Sequence, residues 1–381
     1  MYRRLLKLPQ QPKRSFFLWG PRQVGKTFLL EHTYPQTPLI SLLLSEELAQ
    51  FKVRPGRLRE RMRELNTKFV LIDEVQKVPE LLDEIHYLIE KEHMVFGLCG
   101  SSARKLKKTH ANLLGGRAIR HELFSLTSFE LGKEFDLVRF VNRGGLPAVY
   151  PDAQYRQLHK AYCSDYLKEE IFDEGLVRKL APFSQFLEFA ALSDTKVLSF
   201  ETFARDTGVS GPTIRGYFDI LNDTLIGRYL PAYVHRPKRK IVTSPKFYFT
   251  DLSVVNYFAQ RGEIQSRSEL FGKAFENWVH HELTAFLSYY ERSERLSYWR
   301  VHQGPEVDFI VGFMKVAIEA KATSNVHMDH LKGLRELAVC YPELKNRYVI
   351  SLESSSRRTD DGVTILSVGD FIKRLWSEKL F

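Results

Sequence analysis

The first third of the chain alternates short apolar runs with amphipathic segments. Short runs rich in Phe, Val, Leu and Ile predict buried strands at residues 15–19, 39–44, 69–72 and 94–98. Between them, apolar residues recur three and four positions apart, which predicts helices at residues 26–32, 55–65 and 80–91. Strands that alternate with helices are typical of a parallel sheet covered on both faces. The pattern up to about residue 132 therefore predicts an α/β domain.

The rest of the chain changes character twice. From residue 154 to about residue 223 helical patterns dominate, and two β-like runs follow at residues 225–234 and 241–250. After about residue 266 a mixed α/β pattern returns, with a long helix at 272–290 and strands at 297–301, 307–311, 316–320 and 347–352. We therefore predict three regions, which are residues 1–135, 136–262 and 263–381.

The loop after the first predicted strand matches a phosphate-binding motif. It follows the pattern G-x-x-x-x-G-K-[ST] with the residues Gly20, Pro21, Arg22, Gln23, Val24, Gly25, Lys26 and Thr27. Glycines let the backbone curl so that successive N–H groups point at a phosphate. We expect Lys26 to reach the β- and γ-phosphates and the Thr27 hydroxyl to hold Mg²⁺. The strand before the loop and the helix after it strengthen the match.

The third predicted strand ends in two adjacent carboxylates, Asp73 and Glu74. An aspartate at this place can position Mg²⁺ beside bound phosphates. A glutamate next to it can polarise the attacking water. Because this pair follows a phosphate-binding loop, the combination predicts nucleotide hydrolysis, whereas the pair alone would equally fit a solvated turn.

Two further residues are candidates for the same site. Ser101 follows the fourth predicted strand, where a hydroxyl can contact the γ-phosphate or the water; the alternative is a serine-rich turn. Arg117 follows two glycines, and we expect it to reach the γ-phosphate of a neighbouring subunit as an arginine finger. The alternatives to that role are a plain surface arginine at this position and Arg104 as the finger.

These motifs resemble those of a known family. The stretches that carry the resemblance are the phosphate loop, residues 72–79 with the pattern Asp-Glu-x-Gln, residues 100–102, residues 115–117 and the Gly-Gly-Leu-Pro stretch at 144–147. They resemble the prokaryotic AAA-type ATPases that carry a C-terminal domain of unknown function, the AAA_14/DUF4143 type. The resemblance covers nearly the whole chain and implies an AAA+ P-loop ATPase module, for which ring assembly is the usual state. It does not indicate a substrate.

The middle region has the spacing of a helix-turn-helix. Residues 199–204 and 212–221 predict two helices, and residues 206–210 predict a tight turn between them. The two β-like runs that follow would form a wing. In a DNA-binding version Arg215 faces the bases, and the wing contacts phosphates through Arg236, Lys238, Arg239 and Lys240. The alternative is a winged helix that only packs between other domains.

Near the C-terminus, Asp308 lies in one predicted strand, and Glu319 and Lys321 end the next one. This pattern resembles the PD-(D/E)xK nuclease core. If these strands pair as a hairpin, Asp308 and Glu319 can share Mg²⁺ or Mn²⁺ while Lys321 orients a water or the scissile phosphate. Glu276, on the preceding helix, is expected to add a third carboxylate. The alternatives are a solvated strand end and a nuclease fold that binds nucleic acid without cutting it.

Composition and charge narrow the class of protein. Apolar residues at 44% and charged residues at 27% are ordinary for a soluble globular chain. No apolar stretch approaches the ~20 residues of a membrane helix, and residues 1–13 lack the apolar centre of a secretory signal. Three scattered cysteines favour neither a disulfide framework nor a zinc site. We therefore expect a cytoplasmic protein without a membrane partner.

The net charge of +10 suggests a polyanionic partner. Together with the motifs, it predicts an ATPase that uses ATP and Mg²⁺ and works on DNA as a homo-oligomeric ring, a hexamer. Its work would be that of a motor or of DNA processing, branched DNA included, and its nuclease-like domain would hold DNA and either cut it or leave it intact. The alternative is a switch-like NTPase regulator that binds a protein partner, with the basic charge serving solubility.

Overall fold

The computed structural model describes residues 2–102, 114–167, 171, 177, 180–234 and 241–381. The chain forms two compact units. The first unit comprises Met1–Ser125 with Ile220–Ile226, and the second comprises Leu126–Asp219 with Gly227–Phe381. Each unit contains helices and its own sheet, so the predicted mixed α/β class is confirmed. Within the described ranges, no helix is long and apolar enough to cross a membrane.

The first unit is built on a five-stranded parallel sheet in the order β2-β3-β4-β1-β5. Its strands are β1 (Ser15–Trp19), β2 (Leu39–Ser41), β3 (Phe69–Asp73), β4 (Val95–Gly100) and β5 (Ala118–Glu122). Its helices are α1 (Lys26–Thr33), α2 (Ser45–Val53), α3 (Arg57–Leu65) and α4 (Leu81–Glu92). The strands β1, β3 and β4 are almost entirely buried, which explains their continuous apolar sequences.

Two elements of this unit, α2 and β5, were not predicted from the pattern. In β5 only Ala118 and Ile119 are apolar, and Ile119 is 44% exposed. The strand lies at the edge of the sheet and is defined by its parallel pairing with β1. A partner about a hundred residues earlier therefore determines β5, and no local run of apolar residues does.

The second unit is richer in helices. Its helices along the chain are α5 (Ser128–Leu131), α6 (Leu137–Arg143), α7 (Tyr155–Lys160), α8 (Leu180–Leu192), α9 (Phe200–Thr207), α10 (Gly211–Asp223, whose residues from Ile220 onward belong to the first unit), α11 (Leu252–Phe258), α12 (Glu269–Tyr289), α13 (Lys332–Cys340) and α14 (Val368–Trp376). The two helices α9 and α10 agree with the predicted helix-turn-helix. The Ser199 side chain caps α9, and Gly208 ends it in the left-handed region.

The same unit contains two sheets. The smaller pairs β6 (Gly227–Leu230) antiparallel with β7 (Lys246–Phe249). The larger has the order β12-β13-β11-β10-β9-β8. Its strands are β8 (Leu296–Arg300), β9 (Glu306–Val311), β10 (Val316–Lys321), β11 (Asn346–Ser351), β12 (Arg357–Arg358) and β13 (Thr364–Ser367). The strands β9 and β10 pair antiparallel as a hairpin, which is the condition that the motif set for a shared site.

The two predicted wing strands, residues 225–234 and 241–250, are longer than the strands that form. Only residues 227–230 and 246–249 pair with each other. Beyond them, Ala232 and Ile241 form bridges to Tyr298 and Val301, in and next to β8. The ends of both runs thus attach to the larger sheet. Residues 235–240, predicted as the basic tip of the wing, lie outside the described residues.

Candidate functional site

A left-handed glycine and a buried lysine shape the loop between β1 and α1. Gly25 has φ 91°, a conformation that glycine adopts without a steric penalty, and it begins α1 as the N-cap. Lys26 is only 6% exposed. Its Nζ donates hydrogen bonds to the carbonyl oxygens of Gly20 at 2.8 Å and Pro21 at 2.9 Å. The ammonium group is therefore held within the curl of the loop, where the motif requires a positive charge for phosphates.

The threonine of the loop and the aspartate of β3 are in direct contact. The Thr27 hydroxyl donates a hydrogen bond to Asp73 Oδ2 at 2.9 Å, and Asp73 Oδ1 accepts one from the Glu74 backbone N–H at 3.0 Å. Asp73 is 1% exposed. Hydroxyl and carboxylate oxygens are ligands that Mg²⁺ accepts in proteins. The structure thus brings together the two residues predicted to hold Mg²⁺, and their chemistry fits that ion.

The second carboxylate is fixed by a residue to which sequence analysis gave no role. Glu74 is buried and has φ 57°, a left-handed conformation that is uncommon for a residue with a side chain. Gln76 Nε2 donates to Glu74 Oε2 at 2.5 Å and to Ser101 Oγ at 3.0 Å. The amide therefore links the predicted water-activating carboxylate to the predicted serine. The available signal was the Asp-Glu-x-Gln stretch, which places Gln76 in the turn after β3.

Two arginines, one in the phosphate loop and one predicted as the arginine finger, have carboxylate partners. Arg22, within the phosphate loop, has a guanidinium nitrogen 3.7 Å from Glu74 Oε2. Arg117 forms an ion pair with Glu90 on α4, and this pair lowers the pKa of the Glu90 carboxyl. The Arg117 side chain is 38% exposed. It is thus accessible at the surface, and the role in a neighbouring subunit stays a prediction. Arg104 lies outside the described residues.

A cleft of about 690 Å³ lies between the N-terminal segment and α1, close to the phosphate loop. Arg4 ties the N-terminal segment to the phosphate loop, because its guanidinium donates a hydrogen bond to the carbonyl oxygen of Val24 at 2.5 Å. The same guanidinium donates a hydrogen bond to the carbonyl oxygen of Phe124 at 2.6 Å. The rings of Phe28 and His32 also line the cleft, and they are stacked with their centroids 5.9 Å apart. The cleft therefore offers stacked aromatic rings and basic groups beside the loop. Sequence analysis assigned no role to this segment.

The C-terminal hairpin brings together the residues predicted from its motif. Lys321 Nζ lies 2.6 Å from Glu319 Oε1, as expected for two residues on one face of β10. Asp308 Oδ2 accepts a hydrogen bond from the Ala320 backbone N–H at 2.9 Å, and Glu319 Oε2 accepts one from the Asp308 N–H at 3.3 Å. The carboxylates of Asp308 and Glu319 are both buried.

A lysine that sequence analysis missed lies among these carboxylates. Lys246, the first residue of β7, has a side chain that is 3% exposed. Its Nζ is 2.5 Å from Glu306 Oε1, 2.9 Å from Glu276 Oε1 and 3.6 Å from Asp308 Oδ1. Burial alone lowers the pKa of Lys246, but the surrounding carboxylates outweigh burial and raise the pKa well above its usual value. The surrounding carboxylates therefore favour the charged form of Lys246.

The divalent metal predicted for this cluster does not fit the arrangement. Glu276, Asp308 and Glu319 lie close to one another as predicted, but the Lys246 ammonium lies among them. Throughout the described part of the chain, no group of three or more His, Cys, Asp or Glu side chains is placed to hold a metal ion. The motif gave no sign of Lys246, because a motif search does not detect a cation contributed by a distant strand.

The residues predicted to contact DNA are described only in part. Arg215, on α10, is exposed, and its guanidinium lies 4.7 Å from the centre of the Phe200 ring. Arg236, Lys238, Arg239 and Lys240 fall outside the described residues. The role of all five in DNA binding stays a prediction.

Three family models match consecutive parts of the chain. Residues 12–132 match the AAA domain, AAA_14. Residues 134–265 match a domain of unknown function, DUF8612, and residues 271–371 match another, DUF4143. The two resemblances stated from the motifs, to AAA_14 and to DUF4143, are thus confirmed.

Two solved proteins show a partial structural likeness to this chain. One is ORC1 of Aeropyrum pernix, solved in complex with DNA, with 13% identity, a TM-score of 0.25 and coverage of 66% of this chain and 87% of that one. The other is a STAND protein, a signal transduction ATPase with a tetratricopeptide repeat sensor from Pyrococcus horikoshii, with 11% identity and a TM-score of 0.21. That match covers 74% of this chain and only 46% of the STAND protein. No curated protein matches the chain.

Proposed function

We propose that the chain, whose residues 12–132 match the AAA domain and whose residues 271–371 match DUF4143, binds and hydrolyses ATP with Mg²⁺. The observation that carries the proposal is the contact between Thr27 and Asp73 beside the buried Lys26. Lys26 would neutralise the phosphates, and Thr27 and Asp73 would hold the metal. Mg²⁺, when bound, neutralises charge that develops on the phosphates. Glu74 would orient the attacking water and accept its proton.

The cleft beside the phosphate loop could hold the base and ribose of the nucleotide. The stacked rings of Phe28 and His32 offer an aromatic surface to a purine base. Arg3 and Lys7, which also line the cleft, supply positive charge. Arg4 is already bonded to the carbonyl oxygen of Val24, so it would fix the N-terminal segment to the loop. We therefore place the base and ribose in this cleft.

The first prediction separates nucleotide binding from hydrolysis. Lys26→Ala should abolish ATP binding, because the charge inside the loop is lost. Glu74→Gln should bind ATP with nearly unchanged Kd and lower kcat about 100-fold or more, since an amide cannot accept the proton. Fluorescent-nucleotide titration and a phosphate-release assay measure the two quantities. If Glu74→Gln hydrolyses ATP at the wild-type rate, Glu74 is not the residue that activates water.

The second prediction concerns Gln76, which would act as a positioning residue. Gln76→Ala removes the amide that joins Glu74 to Ser101, so kcat should fall about tenfold while KM stays nearly unchanged. Gln50→Ala, a change of the same chemistry at an exposed position on α2, is the control and should leave kcat unchanged. Equal kcat values for the two variants would remove Gln76 from the mechanism.

We further propose that the ATPase is a homo-oligomeric ring, most simply a hexamer, in which Arg117 acts on the neighbouring subunit. The exposed side chain of Arg117, next to a glycine turn, supports this role. An arginine supplied by a neighbour stabilises the charge of the transferred phosphoryl group. Catalysis would then require two complete subunits side by side.

The third prediction tests this arrangement by mixing inactive proteins. Arg117→Ala and Lys26→Ala should each be inactive alone. Mixed together, they should regain part of the activity, because a Lys26→Ala subunit still offers its arginine to the intact loop of an Arg117→Ala neighbour. Each variant alone, at the total protein concentration of the mixture, is the control. Light scattering with and without ATP gives the size of the assembly. A mixture as inactive as its components would show that Arg117 does not act between subunits.

We propose DNA as the partner of this assembly. The net charge of +10 and the helix-turn-helix of α9 and α10 support this assignment. The basic residues of the wing would contact phosphates, and the nuclease-like domain would help to hold the strand. A reducing, cytoplasmic setting suits the three cysteines, all of which are free thiols.

The fourth prediction uses salt to count phosphate contacts. Binding to duplex, forked and four-way DNA should weaken with salt, because each phosphate contact releases counterions. The double variant Lys238→Gln and Lys240→Gln should reduce the slope of log K against log salt by about 2. Lys52→Gln with Lys91→Gln, at two exposed positions of the first unit, is the matched control. Fluorescence anisotropy measures all of these.

A protein that stays monomeric and binds none of the three DNA forms would favour the second candidate function. That function is a switch-like NTPase that binds a protein partner. The paired, surface-exposed Arg117 is compatible with that function as well, because a switch needs no finger from a neighbour. The mixing experiment and the salt series therefore separate the two functions by independent measurements.

A further inference from the structure

Lys246 joins two parts of the second unit through charge. It begins β7, where it pairs with Leu230 of β6 and forms a bridge with Val197. Its ammonium group contacts carboxylates from α12 and from β9. A second contact fixes one of these carboxylates, because the Tyr248 hydroxyl donates a hydrogen bond to Glu276 Oε1 at 2.6 Å. The cluster is thus assembled from segments that are distant in sequence.

Donors of the protein already occupy several carboxylate oxygens of this cluster. Glu276 Oε1 accepts from both Lys246 and Tyr248. Asp308 Oδ2 accepts from the backbone of β10, and both oxygens of Glu319 have partners. Glu306 is held between Lys246 at 2.5 Å and Arg300 at 3.1 Å. A divalent ion would therefore have to displace a buried ammonium group and break several of these bonds.

Cationic side chains of the protein lie beside these carboxyl groups, and burial raises the pKa of Glu276 to about 7 and that of Glu319 to about 8. Four carboxylates, those of Glu276, Glu306, Asp308 and Glu319, face three cationic side chains, those of Lys246, Arg300 and Lys321. Buried carboxylates repel one another unless a cation lies between them. Lys246 supplies that cation at the point where three of the four carboxylates converge.

We propose that Lys246 is the built-in cation of this cluster and takes the place of the divalent metal that the nuclease-like motif implies. The cluster then binds neither Mg²⁺ nor Mn²⁺, and no phosphodiester bond is cut there. Its role is to fix α12, β7 and the β9–β10 hairpin to one another. This inference is independent of the ATPase, because it concerns residues of the second unit alone.

The fifth prediction replaces the cation and looks for the metal. Thermal unfolding of the full chain without nucleotide is followed in EDTA and in excess MnCl₂. The wild-type midpoint should be the same in both. Lys246→Met keeps the side-chain length without the charge, so its midpoint in EDTA should fall and should rise again by roughly 5 °C or more in MnCl₂, where Mn²⁺ fills the vacated position. Lys273→Met, at the surface of α12, is the control and should show neither effect.

A second substitution shows where the Mn²⁺ binds. Adding Glu276→Gln to Lys246→Met should abolish the rise in MnCl₂, which assigns the metal to this cluster. A wild-type protein that MnCl₂ stabilises, with the stabilisation lost in Glu276→Gln, would overturn the proposal. Cleavage of DNA by the wild type in MnCl₂ that Asp308→Ala abolishes would overturn it too.

If Lys246→Met does not fold, Glu306→Gln gives the decisive measurement with the lysine in place. An ion-pair cluster predicts that this variant lowers the midpoint equally in EDTA and in MnCl₂. A loss seen only in MnCl₂ would mean that Glu306 belongs to a metal site, and the proposal would be wrong.

Discussion

The parallel pairing of β4 with β1 on one side and β3 on the other is the constraint on which the nucleotide site depends. The register aligns Trp19 with Gly100 and Ile72 with Leu98, so the carboxyl ends of the three strands meet at one edge of the sheet. The phosphate loop follows β1, and Ser101 follows β4. Of the two carboxylates, Asp73 ends β3 and Glu74 follows it. Their convergence is therefore a consequence of strand order, and no residue of the site has to reach across the fold.

The central strand, β4, fits between its neighbours because two of its residues, Gly97 and Gly100, have no side chain. A Cβ added to Gly97 would lie 2.5 Å from a Leu71 methyl carbon, and one added to Gly100 would lie 2.4 Å from Gln76 Oε1. Both distances are shorter than any real contact between such atoms, so the neighbouring side chains would have to move. The bare backbone at Gly100 leaves the room through which Gln76 reaches Glu74 and Ser101. Packing of the sheet and geometry of the site are thus decided by the same residues.

The two buried lysines show how partners decide what a buried charge can do. Lys26 donates to two backbone carbonyl oxygens, which carry only partial charge, so its full charge is left for an anionic ligand. Lys246 is surrounded by full carboxylate charges and has little left for any ligand. Removing one partner of a buried pair typically costs about 3–5 kcal/mol. Lys26 is therefore suited to binding a ligand, and Lys246 to holding the fold together.

The sequence by itself determined the parts of this protein that depend on near neighbours along the chain. The strands β1, β3 and β4 follow from apolar runs, the phosphate loop from its glycines, and the β9–β10 hairpin from two short strands a few residues apart. Only the tertiary structure decided β5, the bond from Gln76 to Ser101 and the place of Lys246 among the carboxylates. Lys246 is 30 residues from Glu276 in sequence, and β5 depends on pairing with β1. Such contacts leave no periodicity in the sequence, because they are set by which strands lie side by side after folding.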